Sequence, residues 1–264
     1  MWRFILLCSL YIHESVAQEI SFDQLRFVTV NEPPANYLDI DDQIDGYVVE
    51  IVQQLRRRLE IDTEIELLPE ARALKTLNTL PHIVMFSISR TPEREDKYHW
   101  LLHVINKRWI FYSRSDSQLD ISTFKQVHNI DSIGVIRGDI REKWLKDKGV
   151  KGLVHILDYE NAIKMLVKSR INLLLFESYG TYSTLNKLGY SHNEVKVQYV
   201  AKASEVYIVM SKFEGSNLLA DEIRKHLLSI HNSKKHIKRK KKWLDNLNKI
   251  NKSGAWISEG ILTY

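Results

Sequence analysis

Apolar residues along this chain recur with two periods, and their order predicts a β–loop–α–β–loop–α–β succession. Residues 25–30 read as a strand ended by Asn31-Glu32-Pro33-Pro34, because paired prolines cannot continue a ladder. Asp45-Gly46 marks a turn. Beyond it Val48, Ile51, Val52, Leu55 and Leu59 share one helical face. Residues 63–68 predict a strand stopped by Pro69, 70–80 a helix, and 83–88 another strand. Such alternation implies parallel strands joined by right-handed crossovers.

A second unit repeats the pattern. Residues 109–113 read as a strand leading out of the first unit. They are followed by a strand at 132–136, a turn at Gly138-Asp139, a helix to about 148 and a strand at 153–156. Asp158 caps a helix with Ala162, Ile163, Leu166 and Val167 inward. An apolar strand at 171–176 and a helix at 178–188 come next, and a strand at 195–200 closes the unit. A strand at 206–210 returns to the first unit, and helices at 215–231 and 234–250 finish the pattern. The expected organisation is a discontinuous first lobe, 18–112 plus 204–264, around a second lobe, 113–203. Crossings near 112–116 and 201–205 would form a two-stranded hinge, and two lobes so joined close around a ligand. Ligands of open α/β sheets sit at the carboxyl ends of strands.

Composition adds little until its distribution is considered. At 264 residues, 44% of them hydrophobic, the chain can bury one large core or two. Residues 1–17 read as a signal peptide. Arg3 supplies a basic start, 4–12 is apolar, and Ser15-Val16-Ala17 precedes Gln18 as a small-x-small cleavage site. The apolar run falls well short of the roughly 20 residues of a membrane span. Leu7 before Cys8 argues against a lipoprotein anchor. Cys8 is the single cysteine, so cleavage would leave no disulfide, thiol nucleophile or thiolate metal site. The expected location is periplasmic.

Net charge is +5, yet residues 234–252 hold nine Lys or Arg against one acid, Asp245. The body outside that segment is therefore net negative. Ile237, Trp243, Leu244, Leu247 and Ile250 recur near helical spacing there, which reads as a docked helix with a solvated basic face. Contact of that face with an anionic envelope surface, lipid or polysaccharide, is the alternative. Nothing resembles a nucleic-acid reader.

The densest chemistry lies at 86–100. Ser87 and Ser89 alternate with Ile88 and so share a strand face, just before Arg90, Thr91-Pro92-Glu93 and Arg94. A guanidinium fork matches a carboxylate bidentately, and hydroxyls complete such a shell.

In this order, Pro33-Pro34, Asp45-Gly46-Tyr47-Val48-Val49-Glu50-Ile51-Val52, Ser87-x-Ser89-x-Thr91-Pro92-Glu93-Arg94 and Phe176-Glu177-Ser178 resemble the bacterial extracellular solute-binding proteins of family 3. These are the periplasmic receptors of polar amino-acid ABC transporters. The resemblance implies a two-lobed periplasmic-binding-protein fold, type II-like, acting as a monomer with no cofactor. It also implies a small polar or zwitterionic solute as ligand and a transporter permease as partner. It assigns Arg94 to the ligand's α-carboxylate, with Ser87 and Ser89 beside it, and Glu177 to the α-ammonium. Gly138, Asp139 and Ile140 would offer backbone N–H groups at a helix N-terminus; Asp139 reads equally as an N-cap.

The chain departs from that family where aromatic rings often flank the ligand. Glu32 and Glu70 stand at the nearest positions, with Arg72 two residues on and Tyr37 within reach of the cleft. This lining implies a polar or charged ligand. A basic amino acid, a dicarboxylate-like one and another small zwitterion all remain open. No P-loop, Gly-x-Gly-x-x-Gly, Gly-x-Ser-x-Gly or His-Glu-x-x-His is present. His99 and His103 lie in a segment read as extended, not as a metal pair. Capture without catalysis is the expectation. The alternatives are a ligand sensor without transport, and a cyclohexadienyl or arogenate dehydratase on the same scaffold, with Glu177 or Glu70 as acid.

Overall fold

The computed structural model describes residues 20–39, 41–250 and 254–264. The expected signal peptide lies outside them. The first parallel set comprises β1 (Arg26–Thr29), β4 (Ile65–Leu67) and β5 (Ile83–Ser89). A small antiparallel pair, β2 (Tyr37–Leu38) and β3 (Ile44–Asp45), precedes α1 (Tyr47–Arg58), and α2 (Glu70–Thr79) links β4 to β5. Gly46, between β3 and α1, has φ 136°, and a Cβ there would lie 2.3 Å from the Ala35 carbonyl oxygen. Only glycine fits that turn. Val48, Val49, Ile51, Val52 and Leu55 of α1 are wholly buried, each stabilising the fold by about 1.5–3 kcal/mol on burial.

The second parallel set is β7 (Ile133–Ile136), β8 (Leu153–Ile156) and β9 (Leu173–Glu177). Around it lie α3 (Phe124–Val127), α4 (Ile140–Asp147), α5 (Tyr159–Val167) and α6 (Ser178–Lys187). Two long antiparallel strands, β6 (Tyr98–Arg114) and β10 (Val195–Ser211), run through both sets. The sheet order is β4-β1-β5-β10-β6-β9-β7-β8. Its hydrophobic residues form separate clusters. Those of the first set pack under α1, α7 (Ser216–His231) and α8 (Lys234–Ile250) on one face and under α2 on the other. Those of the second pack under α5 and α6, and under α3.

Three features differ from the sequence reading. The strand expected at 109–113 begins at Tyr98, and those expected at 195–200 and 206–210 are one strand. A hairpin, β11 (Trp256–Ser258) and β12 (Ile261–Thr263), follows the last helix. Its second strand pairs with Ile105 and Asn106 of β6. Finally, Ile237 is not in the docked stripe of α8: it is 56% exposed, while His236 and Lys240 are buried. Burial of those two polar groups is tolerated because both have partners. The Tyr47 hydroxyl is 3.2 Å from His236 Nε2, and Lys240 donates to the Gly260 carbonyl.

β6 pairs with β12 up to Asn106 and with β9 from Trp109. We propose that the passage between lobes runs through 107–108 and, paired opposite, 203–204.

Candidate functional site

The carboxyl ends of β1, β4 and β5 face the N-termini of α4 and α5 across a cleft of about 440 Å³. Glu32, Glu70, Ser87, Ser89, Arg94, Asp139 and Ile140 all line it, joined by Arg141 and Tyr159. A second compartment of about 600 Å³ shares Glu70, Arg94, Asp139, Ile140 and Tyr159, and adds Gly138.

On the first-lobe wall the register of β5 slips against β10 opposite Tyr207 and Ile208, and Ser87 takes φ 69°. This bulge in a left-handed conformation re-aims the strand end toward the cleft. The Ser87 hydroxyl donates to the Asn36 side-chain oxygen, whose amide in turn donates to the Val30 carbonyl. Its hydroxyl is thus spent on holding the 30–36 loop. Pro92–Arg94 forms a single 3-10 turn that brings Arg94 back under the strand, where Nη1 donates to the Ser89 carbonyl at 3.2 Å. Among the described residues no carboxylate lies within ion-pair distance of Arg94. Glu70 opens α2 directly after Pro69. Burial raises its carboxyl above the usual range, with Glu32 and Asp139 adding to the rise and Arg94 and Arg141 opposing it.

The second-lobe wall is built on Arg141, a residue the sequence reading does not single out. Asp139 accepts from Arg141 through Oδ1 to Nε at 2.8 Å and Oδ2 to Nη2 at 2.6 Å. It also caps α4 by accepting from the Arg141 backbone N–H at 2.7 Å, and accepts from the Tyr159 hydroxyl at 2.6 Å. Burial alone would raise the Asp139 carboxyl. The Arg141 charge and these hydrogen bonds outweigh it and hold the group down to about 2. The guanidinium carbon sits 5.4 Å from the Tyr159 ring centroid and 5.1 Å from that of Phe176; those two rings stack at 3.8 Å and 7°. Cation–π contact thus backs the ion pair.

Three expected residues, Glu177, Arg72 and Tyr37, stand outside these two compartments. Glu177 is buried behind the lining, as N-cap of α6. Its Oε1 accepts from the Gly180 N–H at 2.5 Å, and its Oε2 has no hydrogen-bond partner among the described residues. Burial pushes its carboxyl up to about 7 against the opposing pull of Lys107 and Arg141. Arg72 is exposed on α2, outside the cleft. Tyr37 borders an adjoining groove with Tyr179. Its hydroxyl, pushed up to about 12 by burial and Asp45, donates to Asp45 at 3.2 Å. The Gly138 N–H donates to the Glu142 carboxylate and so is not offered to the cleft. Glu32, at the cleft edge, forms an ion pair with the buried Lys107. No group of three or more His, Cys, Asp or Glu among the described residues is placed to hold a metal ion.

Two lobes, a two-stranded passage and a charged cleft at strand carboxyl ends define a periplasmic-binding-protein fold of type II. Residues 25–246 match the bacterial extracellular solute-binding proteins, family 3, and the chain belongs to that family. No curated protein matches the chain. Among solved structures it is similar to a histidine kinase sensor domain with similarity to periplasmic binding proteins. There the identity is 15%, over 84% of this chain and 97% of that one, with TM-score 0.73. It is also similar to an ancestral amino acid-binding protein described as a precursor of cyclohexadienyl dehydratase, at 17% identity over 83% and 94%, TM-score 0.68. The truncated, arginine-bound ArgBP of T. maritima follows at 16% over 78% and 94%, TM-score 0.62. These likenesses define the fold.

Proposed function

We propose that the protein is an exported receptor that captures a small, amino-acid-like zwitterion with an uncharged side chain, for delivery to an ABC-transporter permease. The observation that carries this reading is the charge pairing of the cleft. Asp139 is matched to Arg141 and Glu32 to Lys107. Of the charged groups that line the 440 Å³ compartment, those left over are one guanidinium, Arg94, and one carboxyl, Glu70. A ligand with one carboxylate and one ammonium satisfies both. A further ligand charge placed within that compartment would have to open a buried pair, at about 3–5 kcal/mol.

Closure around such a ligand follows from its better fit to the closed lobes. A ligand at about 100 times its Kd adds roughly 2.7 kcal/mol of stability, or about 5–10 °C in Tm for a chain of this size. The test is a thermal-shift screen of amino acids and related zwitterions against the purified protein. Neutral polar amino acids are expected to give the largest shifts, ahead of arginine, lysine and glutamate. Arg94→Ala removes a charge-assisted contact worth roughly 2 kcal/mol, about a 30-fold loss of affinity, with the apo Tm unchanged. Hits that bind Arg94→Ala as well as wild type would sink the assignment. Turnover of prephenate or arogenate would replace the receptor reading with an enzymatic one centred on Glu70.

A further inference from the structure

The outward face of α8 is a charged surface separate from the cleft. At 3.6 residues per turn, Lys234, Lys235, Lys238, Lys241, Lys242 and Lys249 fall within an arc of roughly 120°. All six are exposed. The buried residues of the helix, His236, Lys240 and Leu247, lie on the opposite side. Two cations of the helix are drawn inward instead. Arg239 lies 3.4 Å from the Glu50 carboxylate, and Lys240 donates to the Gly260 carbonyl.

What sets this arc apart is the density of like charge on one helix face. None of the six lysines has a carboxylate within ion-pair distance among the described residues. Asp245, the single acid within α8, falls inside the same arc at 3.6 residues per turn, so the face carries six positive charges against one negative. Six like charges on one straight face repel one another, and an external anionic surface relieves that repulsion.

We propose that this lysine face docks the protein on the surface of an anionic phospholipid bilayer. The arc spans about 22 Å of helix at 1.5 Å per residue. It forms a flat row of ammonium point charges, suited to a sheet of headgroup phosphates rather than to one discrete anion. Ile237, 56% exposed, flanks the row and offers an apolar contact that a polysaccharide would not use. The apolar side of α8 is already packed on the first lobe, so the helix lies on the bilayer and does not insert. No helix among the described residues is long and apolar enough to cross a membrane. The net-negative body is repelled by the same surface, which fixes the orientation with α8 downward. This proposal is independent of the ligand's identity.

The test is co-sedimentation of the purified protein with vesicles of phosphatidylglycerol and phosphatidylcholine in equal parts, against phosphatidylcholine alone. Lys242 and Lys249 border a groove with Asp45 and Glu50, so the variant replaces Lys234, Lys235, Lys238 and Lys241 by Ser. Binding to the anionic vesicles is expected, with release at about 0.5 M salt. The quadruple variant is expected to bind at least roughly 100-fold more weakly, with its Tm and ligand-induced shift unchanged. Should it lose its fold, the Lys238→Ser, Lys241→Ser pair reads the same loss at smaller size. Equal binding to phosphatidylcholine vesicles, retained binding by a folded variant, or binding to heparin without binding to vesicles would each overturn the proposal.

Discussion

Glu177→Gln isolates the most strongly perturbed carboxyl that the cleft does not use. Its ordinary value of 4.5 is raised to about 7 because the group is buried, and Lys107 and Arg141 only partly offset that burial. Between those two values the folded chain keeps a proton that the unfolded chain has released. Stability from this group is therefore fully present below pH 4.5 and is lost as pH rises through about 7. The span corresponds to roughly 3 kcal/mol. Gln reproduces the protonated form: its oxygen still accepts from Gly180, and its amide stands where the proton was. The variant should match wild type within about 1 kcal/mol near pH 5 and exceed it by roughly 3 kcal/mol near pH 8.5. Urea unfolding at both pH values measures this. His231 and His236, held down to about 4 and about 3 by burial, give the opposite trend, gaining stability as pH rises toward their ordinary 6.5. They are present in both proteins and cancel in the difference. A wild-type-minus-variant difference that stays flat with pH would refute the reasoning.

Gly180→Ala should destabilise by about 1–3 kcal/mol. The new Cβ would lie 2.3 Å from Glu177 Oε1 and 2.5 Å from Phe176 Cζ. Overpacking and the strained cap together outweigh the gain in helix propensity; an unchanged urea midpoint would contradict this. Asp139→Ala strands the buried Arg141 and should cost about 3–5 kcal/mol, whereas Asp139→Ala combined with Arg141→Met should recover most of it. Equal midpoints for the single and double variants would show that the pair is not what the wall depends on.

Where burial follows a simple period, the sequence was readable: α1, α2, α5 and α6 lie where their apolar faces place them. The long strands β6 and β10 were hidden because their mutual register slips at several points, including Val197/Tyr199, Val200/Lys202 and Val206/Tyr207. Each slip interrupts the two-residue alternation that marks a strand. The terminal hairpin had a local signal, Glu259-Gly260, both with positive φ and flanked by the paired Ser258 and Ile261. Its strands are too short for periodicity to register. In the site, Ser87, Ser89 and Arg94 were legible because a strand-end position and a Pro-initiated turn are both sequence-local. Arg141 was not. A first-turn Asp-x-Arg reads as an ordinary cap with a solvated base, and only the Tyr159–Phe176 stack, brought in from α5 and β9, makes the arginine an interior residue. The same long-range packing keeps Glu177 behind the wall rather than in it.

The buried charges between the lobes also bear on how the cleft would work. Lys107 lies on β6 where the strand leaves one set of neighbours for the other, and it is 4% exposed. One carboxylate near it, Glu32, belongs to the loop after β1; the other, Glu177, ends β9. Separating the lobes pulls at least one of these acids away from the ammonium, and the freed charges gain water as they lose each other. For buried pairs those two effects nearly cancel. In a closure of the lobes such as the proposed function requires, the network would fix the closed geometry without strongly favouring it. On the function proposed above, that would leave the balance between open and closed forms to a ligand bound by Arg94 and Glu70 together, which is the condition under which a ligand's differential contacts can move it.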